Sequence, residues 1–176
     1  MLDLNIATAD FTSVSLKDFR DSVTEQINQR RDKIREELVK VKRDILIQTD
    51  LKAEAARQGD RSENAEYQAA IDALAALNIS KARLEDRLEA YSSYNVNETN
   101  QTCIDIGSTL KLSFKGHIFM MVLTPSAISD YTIGAISATC PVGQELMGLR
   151  PSKDGMHISA NVRGTACEYE ILEVLL

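Results

Sequence analysis

Apolar residues recur at intervals of three, four or seven through Phe19, Val23, Ile27, Ile34, Leu38, Val41 and Ile45. That spacing sets them along one stripe of an α-helix. Ser15-Leu16-Lys17-Asp18 reads as the start of the helix: Ser15 can cap the first turn, and Asp18 is favourable at the positive end of the dipole. Leu51 and Ala55 continue the segment in a slipped register. No Gly or Pro interrupts it before Gly59, a residue suited to the left-handed conformation that closes helices. Ser62 reads as the N-cap of a second helix, with apolar positions at Tyr67, Ile71, Leu74, Leu77, Leu84, Leu88 and Tyr91 and with Lys81 in one of the expected apolar slots. A seam this narrow, sustained over so many turns, predicts an antiparallel two-helix coiled coil over 15–92. At about 1.5 Å per residue, arms of some 30–40 residues would span roughly 45–60 Å.

Beyond this segment the period changes. Residues 93–101 form a polar run with the character of a linker. Thr109-Leu110-Lys111-Leu112-Ser113-Phe114 then alternates, residues 118–123 are an apolar run, and residues 168–174 alternate again, all signals of β-strands. Between them, Cys140-Pro141-Val142-Gly143-Gln144-Glu145-Leu146-Met147-Gly148 predicts a short helix that opens on Pro and closes on Gly. Residues 102–176 are therefore expected to form a small α+β domain with a twisted, mostly antiparallel sheet. Residues 1–14 carry no periodic signal and are taken as an N-terminal extension.

The hydrophobic fraction of 44% with 26% charged residues is that of a folded, soluble protein. No stretch approaches the roughly 18 apolar residues needed to cross a bilayer, and the N-terminus lacks the basic and apolar regions of a secretion signal. A cytoplasmic protein is expected. The three cysteines, Cys103, Cys140 and Cys167, are odd in number and widely spaced, and read as reduced thiols. A metal site shared with His117 or His157 is the lesser alternative. The net charge of −6 argues against a general or sequence-specific nucleic-acid binder. Residues 15–92 carry 15 Lys/Arg against 16 Asp/Glu, a balance of −1. Residues 93–176 carry 5 against 8, or −3, and Asp3 and Asp10 supply the remaining −2. The helical segment is thus densely charged yet nearly neutral, as a solvated coiled coil should be.

The turn between the helices reads Gly59-Asp60-Arg61-Ser62-Glu63-Asn64-Ala65-Glu66-Tyr67, followed after one residue by Ala69-Ala70. It resembles the tip of the Gre transcript-cleavage factors of bacterial RNA polymerase. Ile106-Gly107, Ile136-Ser137, Pro141 to Gly148 and Tyr169-Glu170-Ile171 resemble that family's globular half less strictly. The resemblance implies an FKBP-like domain that docks at the rim of the polymerase secondary channel through Ile136, Ser137, Pro141 and Gly143. It also implies that the coiled coil enters the channel and sets two tip acids, Asp60 and Glu63, beside the catalytic Mg²⁺ of the polymerase. There they would promote hydrolysis of backtracked RNA at its 3′ end, so that elongation resumes. On this reading the chain is an accessory factor, not an enzyme by itself.

The chemistry accords with these residue types, since Mg²⁺ takes hard oxygen ligands and keeps several waters, so that two carboxylates suffice to help hold a shared ion. Arg57, Arg61, Asn64 and Tyr67 would support the tip or touch RNA. Plainer roles stand beside these: an Asp after Gly in a turn, a Glu stabilising a first helical turn, Arg57 and Arg61 as ordinary solvated charges, and Tyr67 packed on the first helix. The sequence departs from the family in having Ala56 where Arg is usual, with Arg57 one place later, and Cys140 in place of Ser before the loop Pro. Its start is also longer and lacks the usual opening motif. Three other functions remain open: a channel regulator that does not stimulate cleavage, a coiled-coil scaffold, and a prolyl isomerase. The last would need an aromatic pocket built from Phe114, Phe119, Tyr131 and Tyr169.

Overall fold

A computed structural model describes residues 14–57, 64–94, 102–125, 128–152 and 155–176. Its elements run α1 (Leu16–Ala55), α2 (Ala65–Ser92), β1 (Thr109–Phe114), β2 (His117–Thr124), β3 (Ala135–Ser137), α3 (Pro141–Leu146), β4 (Met156–Val162) and β5 (Thr165–Leu175). The expected α+β architecture, a long helical hairpin followed by a mostly antiparallel sheet, is what forms. The chain divides into two compact units. One is Arg30–Glu89; the other joins the residues up to Gln29 with Ala90–Leu176.

Helix α1 begins as its sequence predicts. The Ser15 hydroxyl accepts from the Asp18 amide at 3.1 Å and donates to the Asp18 carboxylate at 2.7 Å, which satisfies an end that would otherwise leave amides without partners. Within the Arg30–Glu89 unit, Ile34 and Leu38 are buried and Val41 and Ile45 half-buried on α1, as is Leu84 on α2, with Leu74, Leu77, Lys81 and Leu88 half-buried. Nearer the tip the structure corrects the sequence reading. The register does not slip at Leu51, which is 48% exposed. The strict alternation of three and four continues through Gln48, Lys52 and Ala55, and it is these that are partly or fully buried. Backbone geometry fixes the period, so polar residues occupy the seam where the apolar ones lie outside it. Lys42 and Glu85 pair across the helices at 3.4 Å, and Lys81, in its apolar slot, lies 3.9 Å from the same carboxylate.

In the other unit the sheet order is β3-β2-β1-β5-β4, with β2–β3 parallel and the remaining neighbours antiparallel. Strand β4 was not anticipated, although Met156, Ile158, Ala160 and Val162 alternate with polar residues. Two-residue turns at Lys115-Gly116 and Arg163-Gly164, all four at positive φ, close the β1–β2 and β4–β5 hairpins. That geometry matches the right-handed twist of the strands. A bulge opposite Lys111 and Leu112 leaves Leu172 without a cross-strand partner, and it points outward, 43% exposed.

One face of the sheet buries Leu110, Leu112, Met121, Leu123, Ile158 and Tyr169 together with Leu146 of α3. The other face, through Val122 and Ala135, is covered by Val23 and Ile27 of α1 and by Tyr94, with Phe19, Tyr91 and Ile133 packed at its edge. The first turns of α1 thus serve as the second layer of this unit. Tyr94, the second residue of the polar run, is a core residue, 6% exposed. Residues 95–101 of that run lie outside the described residues. Burial pushes the Tyr94 hydroxyl above its usual pKa, against the opposing pull of Thr24 and Arg20.

Candidate functional site

The hairpin tip is built around Asn64. Ser62 was expected to cap the second helix, but that helix starts at Ala65 and its cap is Asn64. The Asn64 side-chain oxygen accepts from the amides of Glu66 and Tyr67, both at 3.0 Å, and its carbonyl accepts from Gln68 at 3.1 Å. Its side-chain nitrogen donates 2.8 Å across to the carbonyl of Ala55, the last residue of α1. One amide side chain therefore satisfies donors at the positive start of one helix and an acceptor at the negative end of the other. Asn is as good an N-cap as Ser, so Ser62 and Asn64 compete on propensity alone. Asn carries its donor on a second atom, so it reaches the Ala55 carbonyl while its oxygen caps α2.

Two small residues allow this closure. Ala55 and Ala70 are buried, 4% and 5% exposed, where the helices approach nearest the tip. Tyr67 lies half-buried with the Lys52 ammonium 5.7 Å from its ring centroid, so it packs on the first helix and shields one of the polar seam residues. Arg57 is exposed, in a turn whose amide bonds back to the Glu54 carbonyl at 2.9 Å. Asp60, Arg61 and Glu63, with Gly59 and Ser62, lie outside the described residues. Arg57 and Asn64, Ala55 and Tyr67 frame that stretch on its two sides. Among the described residues no group of three or more His, Cys, Asp or Glu is placed to hold a metal ion.

The second predicted cluster lies at β3 and α3. Ile136, Ser137 and Gly143 are buried, while Pro141 is exposed at the first position of α3. The Ser137 hydroxyl lies 2.8 Å from that of Thr139 and accepts from the Thr139 amide at 3.1 Å; its carbonyl accepts from Cys140 at the same distance. Cys140, which stands where the resembled family usually has Ser, caps α3, its sulfur accepting from the Gly143 amide at 3.3 Å. A Cβ on Gly143 would meet the Ser137 carbonyl oxygen at 2.3 Å, so glycine is required by close backbone approach. Three of the four residues therefore build the loop. The side chains it presents outward are Thr139, Pro141, Gln144 and Glu145.

The aromatic residues do not line an open pocket with one another. Phe114 stacks on Tyr169 at 4.8 Å and Phe119 meets it edge-on at 6.3 Å, while Tyr131 is 52% exposed. No helix among the described residues is long and apolar enough to cross a membrane.

Comparison with known proteins places residues 21–92 under a family model described as transcription elongation factor, N-terminal, of GreA and GreB. The chain is 33% identical over 126 residues to transcription elongation factor GreA of Beijerinckia indica, covering 69% of this chain and 77% of the relative. It is 27% identical over 166 residues to GreA of Amoebophilus asiaticus, covering 93% and 95%. Among solved structures it is similar to GreA factor homolog 1 of Thermus thermophilus, with a TM-score of 0.35, 21% identity and coverage of 86% and 94%. A GreA/GreB factor from Nitrosomonas europaea gives the same TM-score at 22% identity, covering 60% of this chain and 93% of that one.

Proposed function

This chain belongs to the GreA/GreB family of transcription elongation factors, and from that premise we propose that it enters the secondary channel of bacterial RNA polymerase tip first. There it stimulates hydrolysis of backtracked RNA by the polymerase and rescues arrested complexes. The observation that carries this reading is the double cap at Asn64. By tying Ala55 to the start of α2 at 2.8 Å, it gives the six residues between Arg57 and Asn64 a fixed base at the end of the hairpin. Asp60 and Glu63 both fall in that stretch.

Their role follows from chemistry. Two carboxylates are too few to hold Mg²⁺ alone, but they suit an ion whose other ligands come from the polymerase and the RNA. When bound there, the ion would activate water and stabilise in-line displacement at phosphorus. Asp60 and Glu63 would help retain it and orient the attacking water. Arg57 and Arg61 would offset repulsion between the acidic tip and an acidic catalytic centre, or pair with RNA phosphates. The chain would act as an accessory to another enzyme, in the cytoplasm where that enzyme works. Docking at the channel rim would involve the loop built by Ile136, Ser137, Pro141 and Gly143, with Pro141 and its exposed neighbours making the contact.

The test is a cleavage assay on stalled, backtracked elongation complexes. Wild-type protein is expected to release a 3′ RNA fragment. Asp60→Asn and Glu63→Gln are expected to lose that stimulation while still being retained on core polymerase. Cleavage unchanged in both variants would sink the mechanism. Retention on polymerase with no cleavage by the wild type would establish instead a regulator that occupies the channel. A scaffold unconnected with transcription predicts no retention at all.

A further inference from the structure

We propose that one edge of the hairpin is a docking groove for a basic amphipathic helix of another protein. The two edges differ. On one, Lys42 and Glu85 flank the seam and pair across it, as charged residues beside a two-helix seam ordinarily do. On the other, the flanking positions nearer the tip are Leu51 on α1 and Ala73 on α2. A groove of about 560 Å³ runs there from Glu54 and Glu66 along Leu51 and Ala69 to Gln48 and Ala73. It continues through Gln48 and Ala73 into a second stretch of about 380 Å³, bounded by Ile47, Ala76 and Asp44.

Three properties of this edge point to one kind of occupant. Ile47 and Leu51 are 49% and 48% exposed, which widens the apolar stripe of α1 beyond a two-helix seam toward the breadth of a helix packed on two neighbours. The α2 wall is made of Ala69, Ala73 and Ala76, small enough for a third helix to come close. The ionisable residues lining both stretches are Asp44, Glu54 and Glu66, with no Lys or Arg among them. A second copy docked groove to groove would set these acids against one another. A helix with an apolar face flanked by Lys or Arg satisfies both the floor and the rim. The proposal does not depend on polymerase binding.

The experiment uses the full chain and a synthetic helical peptide of about 18 residues with a Leu/Ala face flanked by Lys. A matched peptide has Glu at every Lys position. Fluorescence anisotropy should show binding of the Lys peptide, weakening with salt, and none of the Glu peptide. Leu51→Lys should weaken binding at least about tenfold, since it removes an aliphatic contact that the docked helix would cover and sets a positive charge against the Lys flanks of the peptide. Ala73→Leu, which fills the groove without changing charge, should weaken it similarly. Ile79→Lys makes the same charge change at an exposed aliphatic residue outside the groove and should leave binding within about threefold. Equal losses in Leu51→Lys and Ile79→Lys would reduce the effect to general charge attraction and overturn the proposal. So would failure of the Lys peptide to bind, equal binding of the Glu peptide, or a wild-type dimer that Leu51→Lys dissociates.

Discussion

Replacement of Asn64 tests whether the tip is closed by one side chain. Asn64→Ala removes the acceptor for Glu66 and Tyr67 and the donor to Ala55 together. Loss of an N-cap costs about 1 kcal/mol, and loss of the hydrogen bond to a part-buried carbonyl about another. A local destabilisation of about 2 kcal/mol raises the opening equilibrium roughly thirtyfold. The effect is confined to one end of a long helix pair, so amide exchange is the measurement to make. The amide of Gln68, which bonds to the Asn64 backbone carbonyl rather than to its side chain, reports on the helix start without losing its own partner. It should exchange about thirtyfold faster in Asn64→Ala.

Two further variants separate the halves of the cap. Asn64→Ser keeps an acceptor for the first turn and loses the reach to Ala55, so it should recover about half of the free energy, leaving exchange some fivefold fast. Asn64→Asp keeps a cap as good as Asn in an isolated helix, but turns a carboxylate toward the negative end of α1. It should therefore exchange faster than Asn64→Ser, an order opposite to intrinsic cap preference. Wild-type exchange in Asn64→Asp would refute the bridge to Ala55. Wild-type exchange in Asn64→Ala would refute the cap altogether.

Gly143→Ala places a methyl group 2.3 Å from the Ser137 carbonyl and 2.9 Å from the Ala138 Cα. Both are backbone, so the loop must shift, and urea unfolding should show a loss of about 1–3 kcal/mol. Cys140→Ser keeps a side-chain acceptor for Gly143 and should be nearly neutral in the same assay, while Cys140→Ala should cost about 1 kcal/mol. Tyr94 has its folded-state pKa raised, chiefly by burial, so its contribution to stability is full below the unfolded value near 10 and is lost as pH rises from there through the folded value. Melting temperature followed through that window should fall less steeply in Tyr94→Phe than in wild type; equal slopes would show that Tyr94 does not titrate differently on unfolding.

Where the fold was legible in the sequence, the reason was period. Spacings of three, four and seven marked the helices, alternation found β1 and β5, and a continuous apolar run found β2. The missed strand β4 alternates too, but its inward Ala160 is small and its outward Asn161 is a residue that strands disfavour, which weakens the signal. The slip assigned at Leu51 came from following apolar residues where the helix follows angle. The candidate site was legible as a motif but not as a structure. That Asn64 bridges two helix ends depends on residues nine apart in sequence meeting in space, which no local preference encodes. The burial of Ile136, Ser137 and Gly143 likewise depends on the parallel pairing of β3 with β2.

The corrected register changes how the tip is held. Toward the middle of α1 the seam is Ile34 and Leu38, 3% and 7% exposed, and burial of such side chains contributes about 1.5–3 kcal/mol each. Toward the tip the same slots hold Gln48 and Lys52, which contribute little burial, and then Ala55, which has no side chain long enough to interdigitate. Hydrophobic stabilisation therefore falls along α1 toward its end at Ala55. The polar arrangement replaces it: Lys52 is carried by the Tyr67 ring, and the helix ends are joined through Asn64. Such contacts are directional and depend on geometry, whereas apolar burial is neither. Helix ends joined in this way are fixed relative to each other at modest stability, and the loss of one bond parts them without unfolding the hairpin. Asn64 consequently governs how the two helix ends are joined more than it governs the stability of the protein, and a global unfolding midpoint should register its replacement only weakly beside the exchange of Gln68.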